Sequence, residues 1–253
     1  MELKELLLEL RDNILHDRSD RTSGNSDVLW SDDTLLRYIN EAHRRFAREG
    51  LVIRDGTSAE TQVTLQDGVS EYTLHPSILA VISARLVGDT VDLQRTGHAH
   101  LDSRAMPGQG YAAPPQGTPR QGRPIVFTTD ETLSQFGGSD PATAMTVRVY
   151  PVPDADAAGT VLQTRVVRMP LGVLEIGENE TLEIPEEHHL EMLDWAAYLA
   201  LRIADIDAGD AQRAAGFRQS FEVSTKKAKQ DTMRKLFAPA GWGFGRGGWT
   251  WER

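Results

Sequence analysis

The apolar residues of this chain change their spacing twice along its 253 residues. Near the N terminus they recur at helical spacing, which predicts a helix over residues 2–17 with one buried face. From about residue 51 to 185 the period becomes two, which is typical of strands. After Pro185 the helical spacing returns. The apolar positions of the first helix are Leu3, Leu7, Leu10 and Ile14.

A second helix is predicted to begin after Ser31, a residue type that caps helix N termini. Two aspartates follow in the first turn, where the helix dipole favours negative charge. Trp30 is placed to pack on Leu35 across the cap, and Gly50 suits the end of the helix. The predicted buried face comprises Leu35, Ile39, Ala42 and Phe46.

The segment TQVTLQDGVSEYTL, residues 61–74, is typical of a β-hairpin. Val63 and Leu65 alternate with polar residues before an Asp67-Gly68 turn, and apolar positions resume after it. Between the strand-like runs, residues 106–124 hold five prolines and four glycines, which predicts a long loop or flexible arm. The further predicted strands are LAVISARLV, RPIVFTTD, MTVRVYPV and VLQTRVVRM.

Two more helices are predicted after the strands. Residues 186–207 are apolar nearly all round, so this helix should be buried among others. The last helix runs roughly over residues 209–236, and Pro239 ends it. The predicted buried positions are Leu190, Leu193, Ala197, Leu201, Ala204, Met192, Trp195, Leu199, Ile203 and Ile206 in the first and Ala214, Phe217, Phe221 and Ala228 in the second.

The order of these elements predicts an α+β fold. We expect a helical bundle of two N-terminal and two C-terminal helices, into which an antiparallel β-rich domain is inserted. The predicted boundaries are residues 1–50 and 186–237 for the bundle, 51–185 for the insertion and 238–253 for an extended C-terminal arm.

Composition narrows the classes of function. The absence of cysteine excludes disulfides, thiolate zinc sites and thiol catalysis. No apolar run approaches the length of a membrane span, and the leucines of the first helix are mixed with acids, so we expect neither a membrane anchor nor a signal peptide.

The net charge of −10 is unevenly distributed. From Lys226 onward seven basic residues face two acids, a net charge of +5, which leaves −15 for the preceding chain. This asymmetry indicates a terminus that seeks an acidic partner surface. The alternative is a solvated helix end whose cations complement the helix dipole. The basic segment comprises Lys226, Lys227, Lys229, Arg234 and Lys235.

The final segment GWGFGRGGWTWER, residues 241–253, holds three of the five tryptophans. Its glycines prevent it from folding alone, whereas tryptophan and arginine are preferred anchors of interfaces. We therefore expect a docking peptide that becomes ordered on a partner. The alternative is that the tail folds back on its own core. The candidate anchors are Trp242, Phe244, Arg246, Trp249, Trp251 and Arg253.

Two histidine pairs are the candidate chemistry. His98 and His100 lie in a polar, glycine-flanked region, while His188 and His189 are adjacent on a helix and point about 100° apart, unlike a shared metal site. No phosphate-binding or nucleophile motif occurs. We expect no catalytic residues, metal or cofactor. Two alternatives stay open: a metal-dependent hydrolase that uses these histidines, and a nucleic-acid-binding accessory protein that uses the basic aromatic tail.

Four stretches carry a resemblance to a known family. They are LWSDDTLLRYINEAHRRFARE, SEYTLHPSILAVISARL, VYPVPDADAAGTVLQTRVVRMP and LEIPEEHHLEMLDWAAYLALRIADIDAGDAQRAAGFRQSFEVSTKKAK. In this order they resemble the head-to-tail adaptor, or head-completion, proteins of tailed bacteriophages, particularly short-tailed ones. The insertion is longer than that of a minimal adaptor.

The resemblance implies a structural protein of the virion neck, made in the host cytoplasm. It implies a dodecameric ring beneath the portal protein, with the C-terminal arm, anchored by residues such as Trp242, reaching the portal. Tail or nozzle proteins would bind the opposite surface. Genomic double-stranded DNA would pass through the lumen without sequence-specific binding, and an acidic body suits such a channel because it does not hold phosphates.

Overall fold

The computed structural model describes residues 1–17, 29–97, 120–129, 144–177, 180–202 and 208–237. Its helices are α1 (Leu3–Glu9, continued by a π-helical stretch, Leu10–Leu15), α2 (Asp32–Gly50), α3 (His189–Leu201) and α4 (Ala208–Phe237). Its strands are β1 (Arg54–Asp55), β2 (Gln62–Thr64), β3 (Glu71–Thr73), β4 (Ile78–Leu86), β5 (Gln94–Arg95), β6 (Val126–Thr129), β7 (Thr146–Tyr150) and β8 (Val161–Arg168). The predicted α+β fold is confirmed.

The four helices share one hydrophobic core, in which α3 packs on both α2 and α4. Three rings from three helices meet at its centre. The ring centroid of Phe221 lies 5.7 Å from that of Phe46 and 5.2 Å from that of Trp195. The Arg45 guanidinium covers Trp195 at 3.6 Å from the ring centroid, so a cation closes the core on one side.

The first helix is present as predicted, and Leu3, Leu7 and Leu10 are buried. Leu6 is buried as well, so the apolar face is wider than predicted. In the π-helical stretch Leu15 is buried and Ile14 is only partly buried, because the wider turns shift the side chains that follow relative to an α-helical spacing.

The second helix confirms the predicted cap, since Ser31 Oγ accepts a hydrogen bond from the Thr34 backbone N–H at 3.3 Å. The helix ends at Gly50, as predicted. The left-handed position that follows it is taken by Leu51, with φ +54°. Gly50 is still helical, and a β-carbon there would lie 3.2 Å from Val52 Cγ1 and 3.4 Å from Ala228 Cβ. The glycine therefore allows α4 to approach α2 closely.

The C-terminal helices largely match their predicted faces. Leu190 is an exception, being 52% exposed. In α4, Phe217 is half-buried, and Thr225 and Thr232 are buried although polar. Residues 203–207, with the predicted positions Ala204, Ile203 and Ile206, lie outside the described residues.

The strands form two sheets around a second core. In the first sheet β8 is central, with β4 antiparallel on one edge and β1 and β2 antiparallel on the other. The second sheet has the order β3-β7-β6-β5, antiparallel except for the β5–β6 pair. The shared core comprises Leu65, Leu86, Leu162 and Val166 of the first sheet region and Tyr72, Phe127, Val147 and Val149 of the second.

The hairpin predicted over residues 61–74 is wrong, although its turn is real. Gly68 has φ +73°, and the Val69 backbone N–H bonds to the carbonyl of Gln66. However, β2 pairs with β8 and β3 pairs with β7. The turn thus carries the chain from one sheet to the other instead of joining neighbouring strands.

Only the end of the proline-rich loop is described. Residues 106–119 lie outside the described part of the chain, and Gln121 forms a bridge to Val152. Among the described helices, none is long and apolar enough to cross a membrane.

Candidate functional site: the cleft between the first sheet and the last helix

The predicted basic segment lies on the final turns of α4, where its members face different surroundings. Lys226, Lys229 and Arg234 are exposed, and Arg234 Nη1 lies 3.5 Å from Asp231 Oδ1. Lys235 instead lines a cleft of about 690 Å³ between the end of α4 and the first sheet. The basic segment is therefore not one uniform patch.

The strand alternation explains which side chains reach this cleft. On β8 the side chains of Leu162 and Thr164 are buried, whereas Arg165 is exposed on the cleft side. On β4, Arg85 is exposed between the buried residues Ala84 and Leu86. We use the term cationic cleft for this site, whose basic lining residues are Arg54, Arg85, Arg165 and Lys235.

The positive charge of the cationic cleft is not neutralised from within. Among the residues that the structure describes, none of its four cations forms an ion pair. Of its two carboxylates, Asp92 is exposed and Asp55 is buried against Arg168. In an acidic protein, four unpaired cations on one concave surface indicate an anionic partner.

Neutral groups complete the lining. Gln163 Nε2 donates to the carbonyl of Gly56 at 2.5 Å, and Gly56 packs so closely that a β-carbon there would lie 3.2 Å from Arg165 Cγ. Ser83 Oγ is buried and has no hydrogen-bond partner in the described part of the chain. Ser83 therefore carries a hydroxyl that is shielded from solvent and uncommitted among the described residues.

A smaller groove of about 210 Å³ continues from the cationic cleft and shares Arg54 and Lys235 with it. Its lining mixes charges. Lys227 lies there with Asp231, and His188 Nδ1 lies 2.8 Å from Glu191 Oε2. Because acids and bases are balanced, this groove lacks the excess charge of the neighbouring cleft.

A buried ion network fixes the floor of the cleft to the bundle. Arg168 Nε donates to Asp55 Oδ2 at 2.6 Å, and Arg168 Nη1 donates to Glu183 just ahead of α3. Burial opposes ionisation of Asp55, but hydrogen bonds from the Thr57 N–H and from Arg168 hold its pKa well below its usual range. Burial likewise opposes ionisation of Glu183, and the bond from Arg168 lowers its pKa.

The structure separates the histidines of the metal hypothesis. His189 is buried, and its Nε2–H donates to the carbonyl of Ile184 at 2.9 Å. His188 instead packs on Phe46, with ring centroids 5.2 Å apart. The described residues contain no group of three or more histidines and acids that could hold a metal ion. His98 and His100 lie outside them.

A further buried histidine was not singled out from the sequence. His43 on α2 is 1% exposed, and its Nε2 has no partner in the described residues. Burial lowers its pKa to about 4, so the ring is neutral in the folded protein. The signal was available, since His43 lies beside Ala42 and one turn before Phe46 and Ala47 on the predicted buried face.

The predicted arm, residues 238–253, lies outside the described residues, so the positions of its aromatic and arginine anchors, from Trp242 to Arg253, stay a prediction. The residues before the arm are described to Phe237, at the end of α4. The arm thus begins three residues along the chain from Lys235, which lines the cationic cleft.

Comparison with known proteins supports the resemblance noted in the sequence. No curated protein matches the chain. A family model described as SU10 adaptor protein, in contrast, matches residues 1–242. The match spans both pairs of helices, all eight strands and the beginning of the arm. The chain therefore belongs to the SU10 adaptor protein family.

Proposed function

We propose that the protein is the head-to-tail adaptor of a phage virion, in which copies form a ring between the portal protein and the tail or nozzle proteins. The observation that carries the proposal is the family match over residues 1–242, which includes every described element. The family is one of phage structural adaptors, so a structural role in the virion takes precedence over a catalytic one.

The architecture supports a rigid ring subunit. The bundle and the sheets have separate cores, and the network of Asp55, Arg168 and Glu183 joins them through buried charges. Such a joint resists relative motion of the two layers, because breaking it leaves buried charges unpaired. A subunit that bears load between capsid and tail needs a joint of this kind.

The arm supports contact with the portal. It follows α4 directly and combines three tryptophans with five glycines in its last thirteen residues. Aromatic anchors on a glycine-rich segment can follow a groove of a partner, and they order as they bind. In this proposal Trp242, Trp249 and Trp251 fill pockets on the portal, while Arg246 and Arg253 add polar contacts.

The net charge supports passage of DNA. A chain with a net charge of −10 repels the phosphate backbone, so a ring of such chains guides genomic DNA through its lumen without retaining it. The dodecameric count comes from the family resemblance.

The deciding experiment is co-sedimentation with purified portal rings of the full chain and of a chain that ends at Ala238. We expect the full chain to bind and the truncated chain to remain in the supernatant. If both bind, the adaptor role stands and the arm has another task. If neither binds, and mass spectrometry does not find the protein in purified virions, the adaptor proposal fails.

A further inference from the structure

We infer that the cationic cleft of one copy receives an acidic tip of the β-rich region of the next copy, so that copies join head to tail. The inference rests on the proposed ring, and it names the two surfaces that would build that ring. The cleft is the surface with four unpaired cations described above. The acidic tip is defined by Asp67, Asp154 and Asp156.

The acidic tip is formed by two turns that contact each other. The Gly68 backbone N–H donates to the carbonyl of Pro153 at 2.9 Å, which holds the turn of Asp67 beside the turn of Asp154 and Asp156. Residues 66–69 and 153–159 contain no basic residue. None of the three aspartates forms an ion pair within the part of the chain that the structure describes. Their charge is thus available to another molecule.

The tip is also held rigidly. Tyr72 Oη donates to the carbonyl of Val69 at 2.7 Å and accepts from the Gln66 backbone N–H at 3.0 Å, so one hydroxyl braces both sides of the turn. Asp154 Oδ1 accepts from the Ala157 N–H at 2.9 Å and fixes the second turn. A preorganised tip loses little conformational entropy when it docks.

Tip and cleft are separated within one copy. Arg165 lies along β8 from Thr160, where the second tip turn ends, at about 16 Å for a rise of ~3.3 Å per residue, and Arg85, opposite Gln163, lies at about 10 Å on the same basis. Arg54 pairs with Val167, still further along the strand. Within one copy, no tip aspartate forms an ion pair with a cleft cation among the described residues, so these charges are available to a second copy. Two different surfaces in contact give a heterologous interface, which closes into a ring where the rotation between copies allows closure.

The shape of the cleft favours a protein loop over DNA. About 690 Å³ between a sheet and a helix end accommodates a narrow turn, whereas a duplex is too wide to enter it. An aspartate-bearing turn supplies carboxylate acceptors that bond to the arginines of the cleft.

Complementary variants test the interface. Arg85→Glu with Arg165→Glu reverses the cleft, and Asp67→Lys with Asp156→Lys reverses the tip; all four residues are exposed. We expect the wild-type chain to assemble at low salt and each variant to stay monomeric, with self-association weakened about tenfold or more. An equimolar mixture should assemble again, because the unchanged tip of one variant meets the unchanged cleft of the other and the two reversed surfaces carry opposite charges. Arg37→Glu with Arg44→Glu on α2 is the matched control, and it should assemble like the wild type.

Cross-linking provides an independent measurement, because the chain has no cysteine of its own. Thr57→Cys lies at the cleft and Ala155→Cys at the tip, and both positions are exposed. A short thiol cross-linker should join the two variants when they are mixed and should not join either variant to itself.

Two outcomes overturn the inference. If both charge-reversed variants assemble like the wild type, other surfaces build the ring and the adaptor role is untouched. If the wild type stays monomeric and the mixture does not assemble, the two surfaces do not bind each other, and portal co-sedimentation alone then decides the adaptor role. Loss of duplex binding in Arg85→Glu with Arg165→Glu, with unchanged assembly, would make the cleft a DNA site.

Discussion

Arg168 on β8 donates to the buried carboxylate of Asp55 on the neighbouring strand β1 at 2.6 Å, and this pair anchors the guanidinium within the first sheet. Asp55 is 7% exposed at its side chain and Arg168 10%, so both charges depend on each other for solvation. The same guanidinium continues to Glu183, next to α3.

We expect Arg168→Met to lower the free energy of unfolding by about 3–5 kcal/mol, because Asp55 would remain buried and unpaired. Urea unfolding followed by tryptophan fluorescence measures this. Arg165→Met is the matched control on the same strand, since Arg165 is exposed, and its effect should stay within about 0.5 kcal/mol. Adding Asp55→Asn to Arg168→Met should recover part of the loss. Equal effects of the Arg165 and Arg168 variants would contradict the network.

We expect the helical bundle to lose stability in acid, because it buries His43. Burial lowers the pKa of His43 to about 4, while the unfolded chain titrates near 6.5. Because the pKa of His43 is lower in the folded chain, its neutral ring contributes fully to the free energy of unfolding above pH 6.5. This contribution is lost as the pH falls from 6.5 toward 4, and the free energy of unfolding decreases by about 3 kcal/mol in all. Glu183, His189 and Arg44 act on the ring as well, and Glu183 opposes the shift.

The check is urea unfolding at pH 7, 5.5 and 4.5 for wild type and His43→Leu. Because His43 Nε2 has no partner in the described residues, an apolar side chain leaves no orphaned group. The variant should be as stable as the wild type at pH 7 and should lose less stability at pH 4.5. Identical pH profiles would show that His43 does not titrate on unfolding.

At position 50, where α2 meets α4, we expect only a small side chain to be tolerated. Alanine gains up to about 1 kcal/mol of helix propensity but brings a β-carbon to 3.2 Å from Val52 Cγ1 and 3.4 Å from Ala228 Cβ, so the two effects offset and Gly50→Ala should change stability little. Gly50→Val should cost about 1–3 kcal/mol through overpacking. Thermal unfolding of both variants tests this, and Gly50→Val combined with Ala228→Gly should recover stability. No recovery would show that the two helices do not limit each other.

The arm yields a prediction that separates docking from folding. Replacement of Trp242, Trp249 and Trp251 with alanine should abolish co-sedimentation with portal rings and leave the melting temperature of the free chain unchanged, because the arm packs on the partner. A large fall in melting temperature would instead show that the tail packs on its own core. Trp195→Ala provides the contrast, since Trp195 lies in the bundle and its loss should lower the melting temperature.

Local signals predicted the helices well. Ser31, the two aspartates and the apolar face of α2 lie within one element, so spacing alone was sufficient. The hairpin failed for a different reason. Asp67 and Gly68 indicate where the chain turns, but no local signal says that β3 then pairs with β7 rather than β2. The π-helical shift after Leu10 is similarly invisible in an apolar pattern.

The cationic cleft could not be predicted from the sequence. Arg85 and Gln163 are neighbours only because β4 pairs with β8 in a register that shifts twice. Lys235 joins them from a helix that is distant in the chain. In the sequence, each of these cations resembles any other exposed residue on a strand or helix. The site arises from the pairing of elements, and pairing is a long-range property.

The crossing at Asp67-Gly68 has a consequence for biosynthesis. That turn sends β3 away from β2, so β2 can pair only after β8, roughly a hundred residues later, has been synthesised. In the same way, α2 can bury its apolar face only after α3 and α4 have been synthesised. Non-local pairing of this kind delays folding until the distant partners are present. A nascent or truncated chain therefore leaves the ribosome with unsatisfied apolar faces and is a substrate for proteases. Only finished chains enter the pool of folded subunits.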